Sequence, residues 1–407
     1  MLVGQETEIS IIHDGHVTSA EGFYAGGVHC GLRRKKLDFG WLFSSVPAAA
    51  AAVYTKNSFQ AAPLKVTKDS ISKEHKLQAL VINSANANAC TGETGMVNAL
   101  NMRKQAADAM GLGEHLVGVS STGLIGVQLP MDKIEKGMMS INPAAVDPEA
   151  FEQAILTTDT KTKHTAVEIL IDGKPIIIGG AAKGSGMIHP NMATMLAYMT
   201  TDADVEADAL QHLLSRATDK TYNMITVDGD SSTNDTVVAL ANGKKGNHPL
   251  SPSHPEWEKF SEAFRLVSEI LAKKIAGDGE GATKLIEVMV KGAATSDSAG
   301  KIAKAVISSN LVKTAVYGAD PNWGRVVCAV GYSEEPVEPD SVDVFLGDIQ
   351  VVENGLPSEF SEQEGISYLD QQEISVVVDL KQGDGKATAW GCDLTYEYVK
   401  INASYRT

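Results

Sequence analysis

A threonine that follows a small residue at the edge of an apolar run has the makings of a self-generated N-terminal nucleophile. The stretch Lys183-Gly184-Ser185-Gly186-Met187-Ile188-His189-Pro190-Asn191-Met192-Ala193-Thr194-Met195-Leu196 has this form: a glycine-punctuated polar loop that runs into an apolar segment, Met195 to Met199. Neither Ala193 nor Thr194 crowds the carbonyl between them, so the Thr194 hydroxyl can attack it. Cleavage of the resulting ester would leave Thr194 with a free α-amino group. That amine titrates near pH ~8 and would act as the threonine's own general base, so the hydroxyl needs no histidine. The local sequence also allows a plainer reading, an ordinary loop-to-strand transition.

Acyl transfer at such a threonine further needs an oxyanion hole and groups that hold the substrates. Thr122-Gly123 offers a hydroxyl donor beside a glycine whose backbone can approach closely. Locally the same pair reads as a strand-ending turn. Other chemistries find no support. The glycines of Gly179 to Gly186 with Lys183 do not form GxxxxGK followed by Ser or Thr, so there is no P-loop. Asp228-Gly229-Asp230-Ser231-Ser232-Thr233 lacks the glycine and distal glutamate of an EF-hand loop, and reads as a turn near the site. Neither HExxH nor GxSxG occurs. The ten histidines show no ligand spacing, so no metal is expected, and His189 reads as a loop residue. Met187, Met192, Met195 and Met199 read as core packing.

Five stretches together carry a resemblance. They are Ser121-Thr122-Gly123-Leu124-Ile125-Gly126, Lys183 to Thr200, Thr226 to Asp235, Tyr317-Gly318-Ala319-Asp320-Pro321-Asn322-Trp323-Gly324-Arg325, and Trp390 to Tyr398 with Ile401-Asn402-Ala403. In this order they are similar to the motifs of the ornithine acetyltransferase family, the bifunctional glutamate N-acetyltransferases of arginine biosynthesis. The resemblance covers nearly the whole chain. It implies an α/β (α+β) fold with a layered αββα-type N-terminal-nucleophile-like core, and self-cleavage between Ala193 and Thr194. It implies transfer of acetyl from N2-acetylornithine to glutamate through an acetyl-Thr194 ester, with Thr122 and Gly123 as the oxyanion pair. Substrate binding carries over onto Thr157, Lys183, Thr194, Glu280, Asn402 and Thr407, with Thr158 as the alternative to its neighbour Thr157. No cofactor is implied, and acetyl-CoA is admitted as a further substrate. The two chains from one precursor would assemble as α2β2.

Amino-acid substrates bring an α-carboxylate and, for ornithine, a side-chain amine, and burying such charges unpaired is costly. Lys183 would meet the carboxylate and Glu280 the ammonium; on local sequence each also reads as a solvated loop charge. Two competing functions fit part of the pattern: a self-processed N-terminal-threonine aminopeptidase or amidase, and a non-catalytic amino-acid-binding protein.

The elements that must position these residues alternate irregularly between strand-like and helix-like patterns. Ala166 to Ile171, Asp172-Gly173 and Pro175 to Ile178 read as a hairpin. Val205 to Ala217 carries apolar residues at helical spacing, and so do Phe260, Phe264, Val267, Leu271 and Ile275. Asn242 to Pro255 reads as a surface loop. Beyond Lys284 strand patterns dominate: Ile286 to Val290, Val342 to Leu346, Ile349 to Val352, Ser375 to Leu380, and a final strand from Ala387 to Ile401. The expected organisation is a catalytic core over 1–284 and a C-terminal α+β domain over 285–407 whose tail reaches the site. The segment Asp320 to Arg325 either lines the site or locks the C-terminal domain against it.

The 407 residues suffice for two or three domains with a large core. A net charge of −16 without clustered Lys or Arg argues against nucleic-acid binding and suits small cationic ligands. Cys30, Cys90, Cys328 and Cys392 form no CxxC pair and read as buried thiols of a reducing compartment. The N-terminus has no signal-peptide pattern and the chain no 18-residue apolar span, so a cytoplasmic protein is expected.

Overall fold

The computed structural model describes residues 9–189 and 195–404. Ala193, Thr194 and Thr407 lie outside the described residues, as does Met192. In chain order the strands are β1 (Ser10–Ile11), β2 (Phe23–Val28), β3 (Phe39–Tyr54), β4 (Lys76–Asn83), β5 (Val117–Ser121), β6 (Lys163–Ile171), β7 (Lys174–Lys183) and β8 (Leu196–Thr201). They continue as β9 (Ile225–Thr226), β10 (Thr236–Ala241), β11 (Leu285–Ala293), β12 (Asp343–Leu346), β13 (Ile349–Glu353), β14 (Leu356–Pro357), β15 (Glu373–Asp379) and β16 (Gly385–Cys392). The helices are α1 (Ala62–Glu74), α2 (Gly92–Met110), α3 (Met131–Met139), α4 (Pro148–Ile155), α5 (Ala207–Lys220) and α6 (Trp257–Gly277). Then come α7 (Ser296–Ser308), α8 (Asn310–Tyr317), α9 (Trp323–Gly331), α10 (Glu362–Leu369) and α11 (Tyr396–Ser404). The mixed α/β class expected from the sequence is the class observed.

The strands form a nine-stranded sheet, ordered β1-β6-β7-β8-β10-β3-β4-β5 with β2 on β3, and a seven-stranded sheet, ordered β14-β13-β12-β15-β11-β16-β9. The expected hairpin is β6–β7. Ile171 pairs with Lys174 across a two-residue turn, where Asp172 and Gly173 take φ of 52° and 71°, the left-handed pair that a type I′ turn requires. Strand β7 then pairs antiparallel with β8 so that Lys183 faces Leu196. The two ends of the loop that carries the Ala193–Thr194 junction are thereby pinned side by side.

Helix α6 buries the stripe read from its spacing, Phe260, Phe264, Val267, Leu271 and Ile275. This stripe shares one core with Val167, Ile169 and Ile178 of the first sheet and with Trp390 and Cys392 of β16. The helix therefore joins the two sheets. A second core sits under α7, α8 and α9 on the face of β11 and β15 that presents Ile286, Val288, Val376 and Val378.

Three expectations are corrected. The final strand ends at Cys392, and residues 396–404 are helix α11. The Asp393 carboxylate turns the chain there by accepting the N–H groups of Thr283 (2.8 Å) and Lys284 (3.0 Å). The loop 242–255 is not wholly superficial, because Leu250 is buried and bridges to Val205. Cys30 and Cys392 are buried, but Cys90 and Cys328 are exposed, and all four are free. The segment Asp320 to Arg325 leads into α9, and Arg325 Nη1 donates to the Leu311 carbonyl (2.8 Å) and the Thr314 hydroxyl (3.1 Å) of α8. That segment braces the helices over the second sheet.

Candidate active site

The end of β5 carries Thr122 and Gly123, and its neighbours hold it in place. The Thr122 N–H donates to the Asn83 carbonyl (3.0 Å), and the Leu124 N–H to that of Ala85 (2.8 Å). The Asn234 amide donates to the carbonyls of Ala87 (2.5 Å) and Ser121 (2.8 Å), tying the loop before β10 to this corner. Gly123 has φ 129°, and a Cβ there would lie 2.2 Å from the Ala85 carbonyl carbon, so only glycine fits. Thr122 is buried, and its Oγ1 accepts from Lys183 Nζ at 3.2 Å. Receiving that bond leaves the threonine proton free to point elsewhere.

Lys183, at the end of β7, is buried beside a second lysine. Lys163 Nζ donates to Asp159 Oδ1 (2.7 Å) and to Asp278 Oδ2 (2.6 Å). Asp159 also accepts the N–H groups of Gly184 (2.7 Å) and Thr157 (3.0 Å), while Asp278 accepts the N–H and hydroxyl of Thr160. Burial would raise the Asp159 carboxyl, but the ammonium groups of Lys163 and Lys183 hold it well below the usual carboxylate range. Burial lowers the Lys183 pKa, opposed by the charge of Asp159. Two carboxylates thus serve two buried lysines. Lys163 is enclosed between them, and Lys183 keeps its reach toward Thr122.

Glu280 stands across from this group. Its N–H donates to the Ser185 carbonyl (2.9 Å), and its Oε2 accepts from the Asn402 amide of α11 at 2.7 Å. A Cβ on Gly186 would lie 2.4 Å from the Glu280 carboxyl carbon, so that glycine makes room for the carboxylate. Tyr398, also from α11, has its phenol pushed up by burial and then by the Asp228 carboxylate.

These side chains line one cavity of about 200 Å³, which takes in Thr122, Gly123, Thr157, Thr158, Lys183 and Glu280. Asn402 lines it as well, so the end of α11 returns to the site. Met195 and Leu196, the residues directly after Thr194, open onto the same space. Of the segments singled out from the sequence, the Asp228–Thr233 turn is here too, while Asp320 to Arg325 does not appear among the described lining residues. His189 sits at the near end of the 190–194 segment with Nδ1 3.0 Å from the Thr226 hydroxyl, and burial lowers its pKa to about 4. Met187 lines the cavity, Met195 lies in the core at its edge, and Met199 is a core residue. Sequence reasoning passed over Asp159 and Lys163 and gave no role to Asp278, nor to Asn234 and Tyr398, although these last two lie in the quoted motif stretches. For Asp159 and Lys163 the signal available was their i,i+4 spacing.

Fold and cavity together define a mixed α/β protein whose pocket sets lysine against glutamate across a hydroxyl-bearing corner. The ArgJ family pattern matches residues 24–407, and the chain belongs to the ArgJ family. It is 60% identical over 400 residues to the arginine biosynthesis bifunctional protein ArgJ of Oceanobacillus iheyensis, covering 98% of each chain. It is 56% identical over 405 residues to the protein of that name from Geobacillus kaustophilus, covering 99% of each. A crystal structure of arginine biosynthesis bifunctional protein ArgJ from Bacillus halodurans superposes with a TM-score of 0.51 at 52% identity. That match spans 52% of this chain and 100% of the solved one. No helix among the described residues is long and apolar enough to cross a membrane.

Proposed function

We propose that this chain transfers an acetyl group from N2-acetylornithine to glutamate, with Thr194 as the acyl carrier, in arginine biosynthesis. Thr194 would become N-terminal when the Ala193–Thr194 bond is cleaved. Its hydroxyl then adds to the acetyl carbonyl while its amine takes the hydroxyl proton. The C–N bond of the donor breaks, the proton passes to the departing amine, and ornithine leaves an acetyl-threonine ester. The glutamate amine attacks that ester, the C–O bond breaks, and the threonine oxygen recovers a proton as N-acetylglutamate leaves. Donor and acceptor amines occupy one position, so one base serves both halves.

The observation that carries this reading is that one cavity gathers these residues. It holds the Thr122 hydroxyl and Gly123 backbone, Lys183, Glu280, Asn402 and the chain just beyond Thr194. In this assignment Thr122 and Gly123 face the developing oxyanion, Lys183 pairs with the substrate α-carboxylate, and Glu280 pairs with the ornithine ammonium. Thr157 or Thr158 and Thr407 complete the binding set. The solved relative that aligns in full to about half of this chain supports a product of mid-chain cleavage. Acetyl-CoA as a second donor, and assembly of the two pieces as α2β2, belong to the same proposal. The word "bifunctional" in the relatives' names supports the former.

The test is incubation with N2-acetylornithine in the presence and absence of glutamate. Ornithine should accumulate over many turnovers only when glutamate is present. Sustained release of ornithine and acetate without glutamate would make the protein an amidase instead.

A further inference from the structure

On the far side of β6 from the Lys163 cluster, residues distant in sequence form a second polar group. His16 and His164 lie with ring centroids 4.1 Å apart. The carboxylate of Glu152, in α4, accepts from both: Oε1 from His16 Nδ1 at 2.7 Å and Oε2 from His164 Nδ1 at 2.6 Å. Glu152 is only 1% exposed, so its charge is spent on these two rings. With a proton on each Nδ1, the Nε2 lone pairs point away from Glu152. Both then face Asp14 Oδ1, which stands 3.8 Å from His16 Nε2 and 3.4 Å from His164 Nε2.

In this neutral tautomer three acceptors converge with no donor between them; a proton on either Nε2 would instead pair with Asp14. The two separations from Asp14 are near the roughly 3.3 Å between neighbouring ligands of a tetrahedral ion with bonds of ~2.0–2.1 Å, and all three ligand atoms lie within 4.8 Å of one another. The geometry is braced rather than accidental. Asp14 has a φ of 56°, in the left-handed region. Gly15 lies so close to β6 that a Cβ would fall 2.5 Å from that of Ala166, and the Ile12 N–H donates to the Ala166 carbonyl at 2.9 Å. The facing charge from α6 is Lys274, whose Nζ donates to the His164 carbonyl at 2.5 Å and so is directed at the backbone.

We propose that Asp14, His16 and His164 form a site for a divalent cation of the zinc class, with Glu152 as the carboxylate that orients both imidazoles. Two imidazole nitrogens and one carboxylate oxygen favour zinc over magnesium, and a buried carboxylate behind the histidines is the usual second layer of such sites. Solvent supplies the open position, since Asp14 is 65% exposed. The ion would clasp two segments well apart in the chain, the turn after β1 and β6, with α4 held to them through Glu152. Its role is structural and separate from acetyl transfer.

The test uses untagged full-length protein stripped with a chelator and titrated with Zn2+ alone by calorimetry, with Mg2+ as a parallel arm. One Zn2+ per chain should bind, and the thermal midpoint should rise with Zn2+. Asp14→Asn, at an exposed position, should keep the metal-free midpoint while weakening Zn2+ at least ~10-fold. His164→Gln should weaken Zn2+ at least as much but also lower the metal-free midpoint, because buried Glu152 loses a partner, and Glu152→Gln should weaken Zn2+ by about 10–100-fold through loss of orientation. The absence of saturable Zn2+ binding, or equal binding by wild type and Asp14→Asn, would overturn the site. Equal affinity for Mg2+ and Zn2+ would overturn the assignment of nitrogen ligands.

Discussion

Thr122 is held from below by β4, receives a hydrogen bond from Lys183, and lines the cavity. If it stabilises the oxyanion, Thr122→Ala should lower kcat by ~10²–10³ with little change in KM, rates being normalised to cleaved protein. A variant within about threefold of wild type would remove it from that role. Glu280 is fixed by Asn402 and by the gap at Gly186. Glu280→Gln should reduce kcat/KM for N2-acetylornithine at least ~10-fold, with a smaller loss for N-acetylnorvaline, which has no side-chain ammonium. Equal losses on both donors would point to a structural role. Burial moves Lys183 below the usual lysine range, so its ammonium is present at lower pH and is lost as pH rises through the lowered value. The alkaline limb of kcat/KM should therefore begin before ~10.5, and Lys183→Arg, if it binds substrate at all, should lack that limb. An unchanged limb in Lys183→Arg would assign it to another group. Lys183 and Glu280 could be picked out in the sequence because each stands in a glycine-rich motif. Lys163 and Asp278 could not, because they meet across 115 positions and neither spacing nor composition marks such a pair.

At the scale of elements, the charge cluster is a joint. Asp278 ends α6 and accepts from Lys163 at the start of β6 and from Thr160 before it. Asp278→Ala would leave buried Lys163 with Asp159 as its one carboxylate and the Lys161 carbonyl as its other acceptor, and breaking a buried pair costs ~3–5 kcal/mol. The loss in unfolding free energy should fall near the low end of that range. Lys104→Ala, which removes an exposed pair with Asp108, should cost at most about 1 kcal/mol. Urea titration checks both, and equal costs would show that the cluster bears no structural load. The hairpin β6–β7 was legible because its turn residues and alternation agree, and α6 because its stripe is long. Helix α11 was not, since none of its described side chains is buried and it therefore has no apolar period. Helix α7 buries Ala299, Ile302, Ala303 and Val306 at helical spacing, yet strand β11 directly before it and the strand patterns from residue 342 on masked the change of period.

For the whole molecule, the sequence expectation of a catalytic core followed by a C-terminal α+β unit meets an interwoven arrangement. The second sheet takes β9 from residues 225–226, α6 belongs to the core of both sheets, and α11 returns to the cavity. Pairings across such distances are decided by tertiary packing and leave no local pattern to read, whereas the five motifs, each compact, made the family recognisable along the whole chain. The same interweaving explains how two pieces, 1–193 and 194–407, would stay together after cleavage: β7 and β8 pair across the break. The most direct test of the proposed mechanism is intact mass spectrometry of the purified protein before and after exposure to N2-acetylornithine without glutamate. The mechanism predicts two chains that part between Ala193 and Thr194, with the mass of one acetyl group added to the 194–407 chain and removed again by glutamate. Thr194→Ala should remain a single unacetylated chain. A single full-length wild-type species that turns over substrate, or a cleaved enzyme that turns over without ever carrying the acetyl group, would contradict it.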